Sequence, residues 1–218
     1  MGTEGAIPKL LRRSDLSREA FDEILSDRAA RRFHAVRRML AGHPRTPRRE
    51  ALSLISTLFW RDLAELSADV RVHPEIRRTA DRDILRRLPE MALAERIDLA
   101  RTAGRGVLQV LRFDPDPRVV AAFLDNRFTT EPDVVQAGAR AEAEPPALEA
   151  IAAHPRWILR PGVRGALLRN RALPTAAALG LLSGARPREL RELLESPGLS
   201  RILRACTERV LAERVGGD

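Results

Sequence analysis

Few residues in this chain have the type and spacing to do chemistry. Of the four histidines, His43, His73 and His154 each directly precede proline, a context that pushes the backbone out of the helical region. They therefore mark separate helix ends. A metal centre needs converging histidine, cysteine or carboxylate ligands. Cys206 is the only cysteine, and no His-x3-His pair is present, so no metal or other cofactor is predicted and no internal disulfide can form. The sequence holds no H-E-x-x-H, no P-loop and no G-x-S-x-G. Gly104-x-Gly106 is followed by Gln109 where a dinucleotide fingerprint needs its third glycine. No catalytic residue is predicted.

Charge is the stronger signal. The formal net charge is +8, a balance that suits an acidic partner or nucleic acid. Of the 38 basic residues only Lys9 is lysine, and tyrosine is absent. A GC-rich genome produces that bias regardless of function, so distribution says more than total. Eight arginines and no acid lie between Arg28 and Arg49, and seven arginines and no acid between Ala150 and Arg188. Single-sign windows of this kind create a local field. Arg37, Arg38, Arg45, Arg164 and Arg171 are the candidate partner-binding set, because guanidinium groups pair with carboxylates or phosphates.

The elements that must position these arginines repeat. Val36-x3-Leu40-x2-His43-x2-Thr46-Pro47 returns as Val119-x3-Phe123-x2-Asn126-x2-Thr129-Thr130 and as Val163-x3-Leu167-x2-Asn170-x2-Leu173-Pro174. Arg37 and Arg164 both follow the repeated valine. Asn126 and Asn170, the only asparagines, share one repeat position with His43. As left-handed helix terminators they read first as caps; they are also secondary candidates for partner binding.

Apolar spacing predicts a long helix, a Thr/Pro turn, a second helix and a short third helix in each unit. Thr46 is expected to cap the second helix, with Pro47 at its first position. A first helix is expected from Asp15 or Ser17, and another over 29–40. A more degenerate unit fills 72–117, broken at Gly104 and Gly106. A last helix over 199–215 presents Ile202, Leu203, Cys206, Val210 and Leu211 on one face, and Gly216-Gly217 ends it. Strand signals are absent. The fold class is therefore all-α.

The period of about 40 residues marks a helical repeat. These Val/Leu/Thr-Pro positions resemble the HEAT and armadillo-like repeat superfamily. The resemblance implies a curved α-solenoid of roughly four repeats of about 42 residues, whose usual work is holding a partner on a concave surface. In some armadillo-like proteins a repeated asparagine holds a bound peptide backbone, which is what brings Asn126 and Asn170 into the candidate set. Trp60 beside Asp62 is similar to the tryptophan and carboxylate pairs of a HEAT-like class of DNA glycosylases.

The sequence thus predicts a loose tail over 1–14, one repeat domain over 15–215 and a short tail over 216–218. The expected role is a non-catalytic, cytoplasmic scaffold that docks an acidic protein or peptide on a basic groove or ridge. Sequence-independent nucleic-acid binding is the alternative, with a glycosylase a remote third. An aromatic content of 4% leaves little for base stacking. No apolar run reaches the roughly 18–20 residues of a membrane span. Self-association through exposed solenoid ends is a further option.

Overall fold

The computed structural model describes residues 3–13 and 15–215, so the expected ending at Gly216-Gly217 lies outside the described residues. Among the described residues every regular element is helical. Contacts divide the chain into two compact units, one up to Ala92 together with Thr102–Val107, the other Leu93–Arg101 together with Leu108 onward. The sequence predicts one continuous repeat domain over this stretch.

The first unit contains α1 (Thr3–Leu11), α2 (Arg18–Ser26), α3 (His34–Gly42), α4 (Arg48–Ile55), α5 (Trp60–Ala68) and α6 (Pro74–Arg87). The head of the chain, expected to be loose, instead forms α1, packs on α3 and buries Leu11. Ser17 caps α2 by accepting from the Ala20 N–H at 3.1 Å. The helix expected over 29–40 is interrupted. Ala30–Arg32 is a 3₁₀ turn, and Phe33, extended at φ −76° and ψ 126°, restarts the chain as α3. Phe21, Val36, Leu40, Leu54, Leu63 and Ile84 form the unit's core, with α3 against α4 and α6 against both α4 and α5.

The second unit contains α7 (Leu93–Thr102, less its last residue), α9 (Pro117–Leu124), α10 (Glu131–Ala139), α11 (Pro145–Ala153), α12 (Pro161–Arg169), α13 (Thr175–Gly184), α14 (Pro187–Leu194) and α15 (Arg201–Val215). The intervening α8 (Arg105–Leu111) is shared between the units. Proline opens α6, α9, α11, α12 and α14, where its missing N–H costs no helical bond. Within the second unit α9 packs on α11, α10 on α12, α12 on α14, and α15 on both α13 and α14. Phe123, Leu148, Trp157, Leu167 and Leu190 are buried between them.

The repeated pattern corresponds to repeated local structure. Val36, Val119 and Val163 are each the third residue of their helix and are fully buried, as are Leu40, Phe123 and Leu167 four residues on. Pro47, Thr130 and Pro174 each form the N-cap of the next helix. Thr46 is thus displaced from the capping role the sequence predicts, and Pro47 precedes the first helical position. The apolar-spaced Ala141 is exposed because α10 has already ended at Ala139. In α15, Leu203 and Thr207 take the buried face, while Ile202 is 64% exposed.

Candidate functional site

The shared position after the repeated valine has one local job in both copies that carry arginine. Arg37 Nη1 donates to the Arg31 carbonyl at 3.1 Å and to the Arg32 carbonyl at 2.7 Å. Arg164 Nη1 donates to the Ile158 carbonyl at 2.7 Å, again six residues back. Each guanidinium thereby satisfies a carbonyl in the turn before its own helix, where no helical partner is present. Arg164 also grips Glu189 of α14 through Nη2, at 2.7 and 2.9 Å. Its side chain is only 9% exposed.

Several other window arginines also have partners within the chain. Arg38 pairs with Asp62 at 3.1 Å and with Glu65, both on α5. Arg45 donates to the Leu16 carbonyl at 2.9 Å and lies 4.9 Å over the Phe21 ring. Arg31 meets Glu50 at 3.2 Å and Arg48 meets Glu75 at 3.1 Å. Arg156 sits 4.2 Å over the Trp157 ring. The windows are acid-free along the chain but not in space, because neighbouring helices supply carboxylates and carbonyls.

The repeated Asn/His position is a turn brace. Asn126 Oδ1 accepts the Phe128 N–H at 2.8 Å, and Asn170 Oδ1 accepts the Ala172 N–H at 2.9 Å. Histidine Nδ1 replaces that oxygen at His43, His73 and His154, accepting the N–H two residues on at 3.2, 3.2 and 3.3 Å. The asparagines reach back one helix pair too. Asn126 Nδ2 donates to the Ala100 carbonyl at 2.9 Å, and Asn170 Nδ2 to the Gly138 and Arg140 carbonyls at 2.8 Å each. The left-handed cap expected here is not formed: Asn170 is extended at φ −79° and ψ 120°, and no non-glycine among the described residues has positive φ. The side chain braces the turn by itself. Burial, and then the Arg45 charge, hold His43 below its usual pKa.

The Trp60/Asp62 pair is similarly engaged. The Asp62 carboxylate lies 2.7 Å from His34 Nε2 in addition to its contact with Arg38, and its side chain is 14% exposed. His34 Nδ1 is buried without a hydrogen-bond partner.

Of the predicted arginines, Arg171 differs. It is exposed, and among the described residues it makes no ion pair or hydrogen bond. It lines a groove of about 600 Å³ between the α12–α13 turn and the start of α15. Arg169 and Arg201 line the same groove, also exposed, and Asn170 stands in its wall. Among the described residues no carboxylate lines it. Leu168, Leu173, Ala178 and Leu203 supply an apolar floor, and the exposed Ile202 a rim. Thr175 and Arg201, the first residues of α13 and α15, bring two positive helix ends to the same opening. A second cavity of about 230 Å³ carries both signs of charge, with Arg112 and Arg140 beside Asp114, Glu142 and Glu144. Of these two, the larger groove joins an open volume to one sign of charge among its described lining residues.

The structure therefore gathers Asn170 and Arg171 at one site and assigns Arg37, Arg38, Arg45, Arg164 and Asn126 to internal contacts. Sequence reading missed Arg201 and Ile202, because α15 follows the turn by about thirty residues and lies outside the acid-free windows. Among the described residues, no three histidine, cysteine or acidic side chains are grouped to hold a metal ion, and no helix is long and apolar enough to cross a membrane. No protein-family model, curated protein or solved structure matches this chain.

Proposed function

We propose that this chain is a non-catalytic interaction module that holds an acidic segment of a partner protein, and that its helices stack as HEAT- or armadillo-like repeats. The observation that carries the binding role is the groove in which Arg169, Arg171 and Arg201 face open space with no carboxylate among its described lining residues. Three guanidinium groups left unneutralised raise the local potential and draw in carboxylates. The serial packing α10 on α12, α12 on α14 and α14 on α15 supports the repeat arrangement. A non-catalytic role is supported by His34, the histidine closest to a carboxylate, whose other ring nitrogen is sealed from solvent. It cannot exchange a proton with a bound substrate there.

The test is fluorescence anisotropy with a labelled glutamate-rich peptide and a labelled DNA duplex across a salt series. The peptide is expected to bind at physiological salt and to lose binding in the Arg169→Glu/Arg171→Glu/Arg201→Glu variant. Tighter duplex binding, with a steep linear fall of log affinity against log salt, would transfer the role to phosphate backbones. Equal peptide binding by the reversal variant would remove the groove from the function.

A further inference from the structure

The groove is more than a patch of charge, because two of its arginines are seated on glycines. The Arg169 guanidinium lies 3.0 Å from where a Cβ on Gly165 would stand, and the Arg171 guanidinium 2.8 Å from the corresponding point on Gly198. Any side chain at either position would push the head group away. Gly198 also carries φ +82°, the left-handed backbone that favours glycine. Arg169 Nε is held a second way, donating to Ser196 Oγ at 3.0 Å. The Ser196 bond restrains the Arg169 head group, so it loses less freedom when a partner binds.

The surface beneath them is apolar. Leu168, Leu173, Ala178 and Leu203 form it, and Ile202 stands 64% exposed at its edge. A fully hydrated acidic tail would satisfy the arginines but leave the exposed Ile202 uncovered. A ligand with both features would cover them. The volume of about 600 Å³ has room for one large side chain with its neighbours.

We propose that the groove seats a protein segment in which an aliphatic or aromatic side chain stands beside carboxylates. The apolar side chain covers Ile202 above the leucine floor, and the carboxylates meet Arg169, Arg171 and Arg201. This inference rests on the acidic-partner reading above and narrows it to amphipathic acidic segments.

The experiment uses two labelled peptides of equal length and charge, one with a leucine between glutamates and one with a serine there. Each is titrated into the full chain and into its Ile202→Ser and Gly165→Ala variants. The leucine peptide is expected to bind about tenfold tighter than the serine peptide, as burial of one aliphatic side chain implies. Ile202→Ser should close most of that gap and leave the serine peptide unchanged. Gly165→Ala should weaken both peptides severalfold while thermal stability holds or rises, since alanine is the better helix former and its Cβ meets only the movable Arg169 head group. Equal affinity of the two peptides for the unaltered chain would overturn the apolar anchor and leave the acidic-partner reading standing. Unchanged binding by Gly165→Ala would overturn the seating of Arg169. Absence of binding by either peptide would overturn both readings.

Discussion

Replacing Arg164 with methionine should cost far more stability than the same change at Arg171, although both arginines lie in one acid-free stretch of sequence. Arg164→Met removes the bond to the Ile158 carbonyl at 2.7 Å and both bonds to Glu189, at 2.7 and 2.9 Å. Breaking a fully buried ion pair from one side costs about 3–5 kcal/mol, because the remaining charge is left uncompensated. Here the Glu189 side chain keeps 17% exposure, so water reclaims part of that loss. The expected destabilisation is about 2–3 kcal/mol. Adding Glu189→Gln removes the orphaned charge while keeping an acceptor for the Arg186 N–H, bonded at 2.9 Å. The double variant should regain about 1 kcal/mol. Arg171→Met, exposed and unpaired, should stay within about 0.5 kcal/mol of the unaltered protein. Urea unfolding followed by circular dichroism reads all three, with the midpoint as the observable at constant m. If Arg164→Met and Arg171→Met shift the midpoint equally, sorting the arginines into internal braces and free groove residues is refuted.

His43 sits below its usual pKa through burial and then the Arg45 charge, so it adds stability that is complete above its ordinary value and is lost as pH falls below it. His43→Asn keeps an acceptor for the Arg45 N–H and should flatten that decline, at a cost of about 1 kcal/mol from the lost Phe21 stack at 4.5 Å; thermal melts between pH 8 and pH 5 check both. Asp69 and Asp116, each held at about 2 by the side chain and N–H of the arginine two residues on, stabilise above the ordinary carboxylate value and lose that contribution as pH falls toward 2. Arg71→Ala with Arg118→Ala should therefore move acid unfolding to higher pH, and an unchanged midpoint would contradict it. Asn126→Ala, at a position 1% exposed, should cost about 2–3 kcal/mol in urea by orphaning the Ala100 carbonyl and Phe128 N–H. Asn170→Ala, partly wet, should cost less.

Much of the architecture is legible in the sequence because it depends on local rules. Val36, Val119 and Val163 occupy the same helical position, and the prolines that open α6, α9, α11, α12 and α14 set boundaries from the chain alone. The break at Phe33 was not legible: Arg31, Arg32, His34 and Ala35 carry no glycine or proline, yet Phe33 is extended. The site was half legible for a physical reason. An acid-free window reports neighbours along the chain, whereas Arg38 meets carboxylates 24 and 27 residues later and Arg164 meets one 25 residues later. Arg171 keeps its charge uncompensated because the segment opposite it, Gly198–Leu203, brings Arg201 and apolar side chains. No count over the sequence distinguishes these cases before the helices are packed. The Asn/His position shows the same limit. Its repetition was visible, but the backward bond to a carbonyl 26 to 32 residues earlier needs the fold.

The most direct test of the groove is a nuclear magnetic resonance titration of the leucine-bearing acidic peptide into the ¹⁵N-labelled chain. The account predicts that amide shifts cluster at Leu168–Thr175 and Gly198–Leu203, with those around Arg37, Arg38 and Arg45 unmoved. Shifts centred on residues 28–49, or none at peptide concentrations that saturate anisotropy, would contradict it.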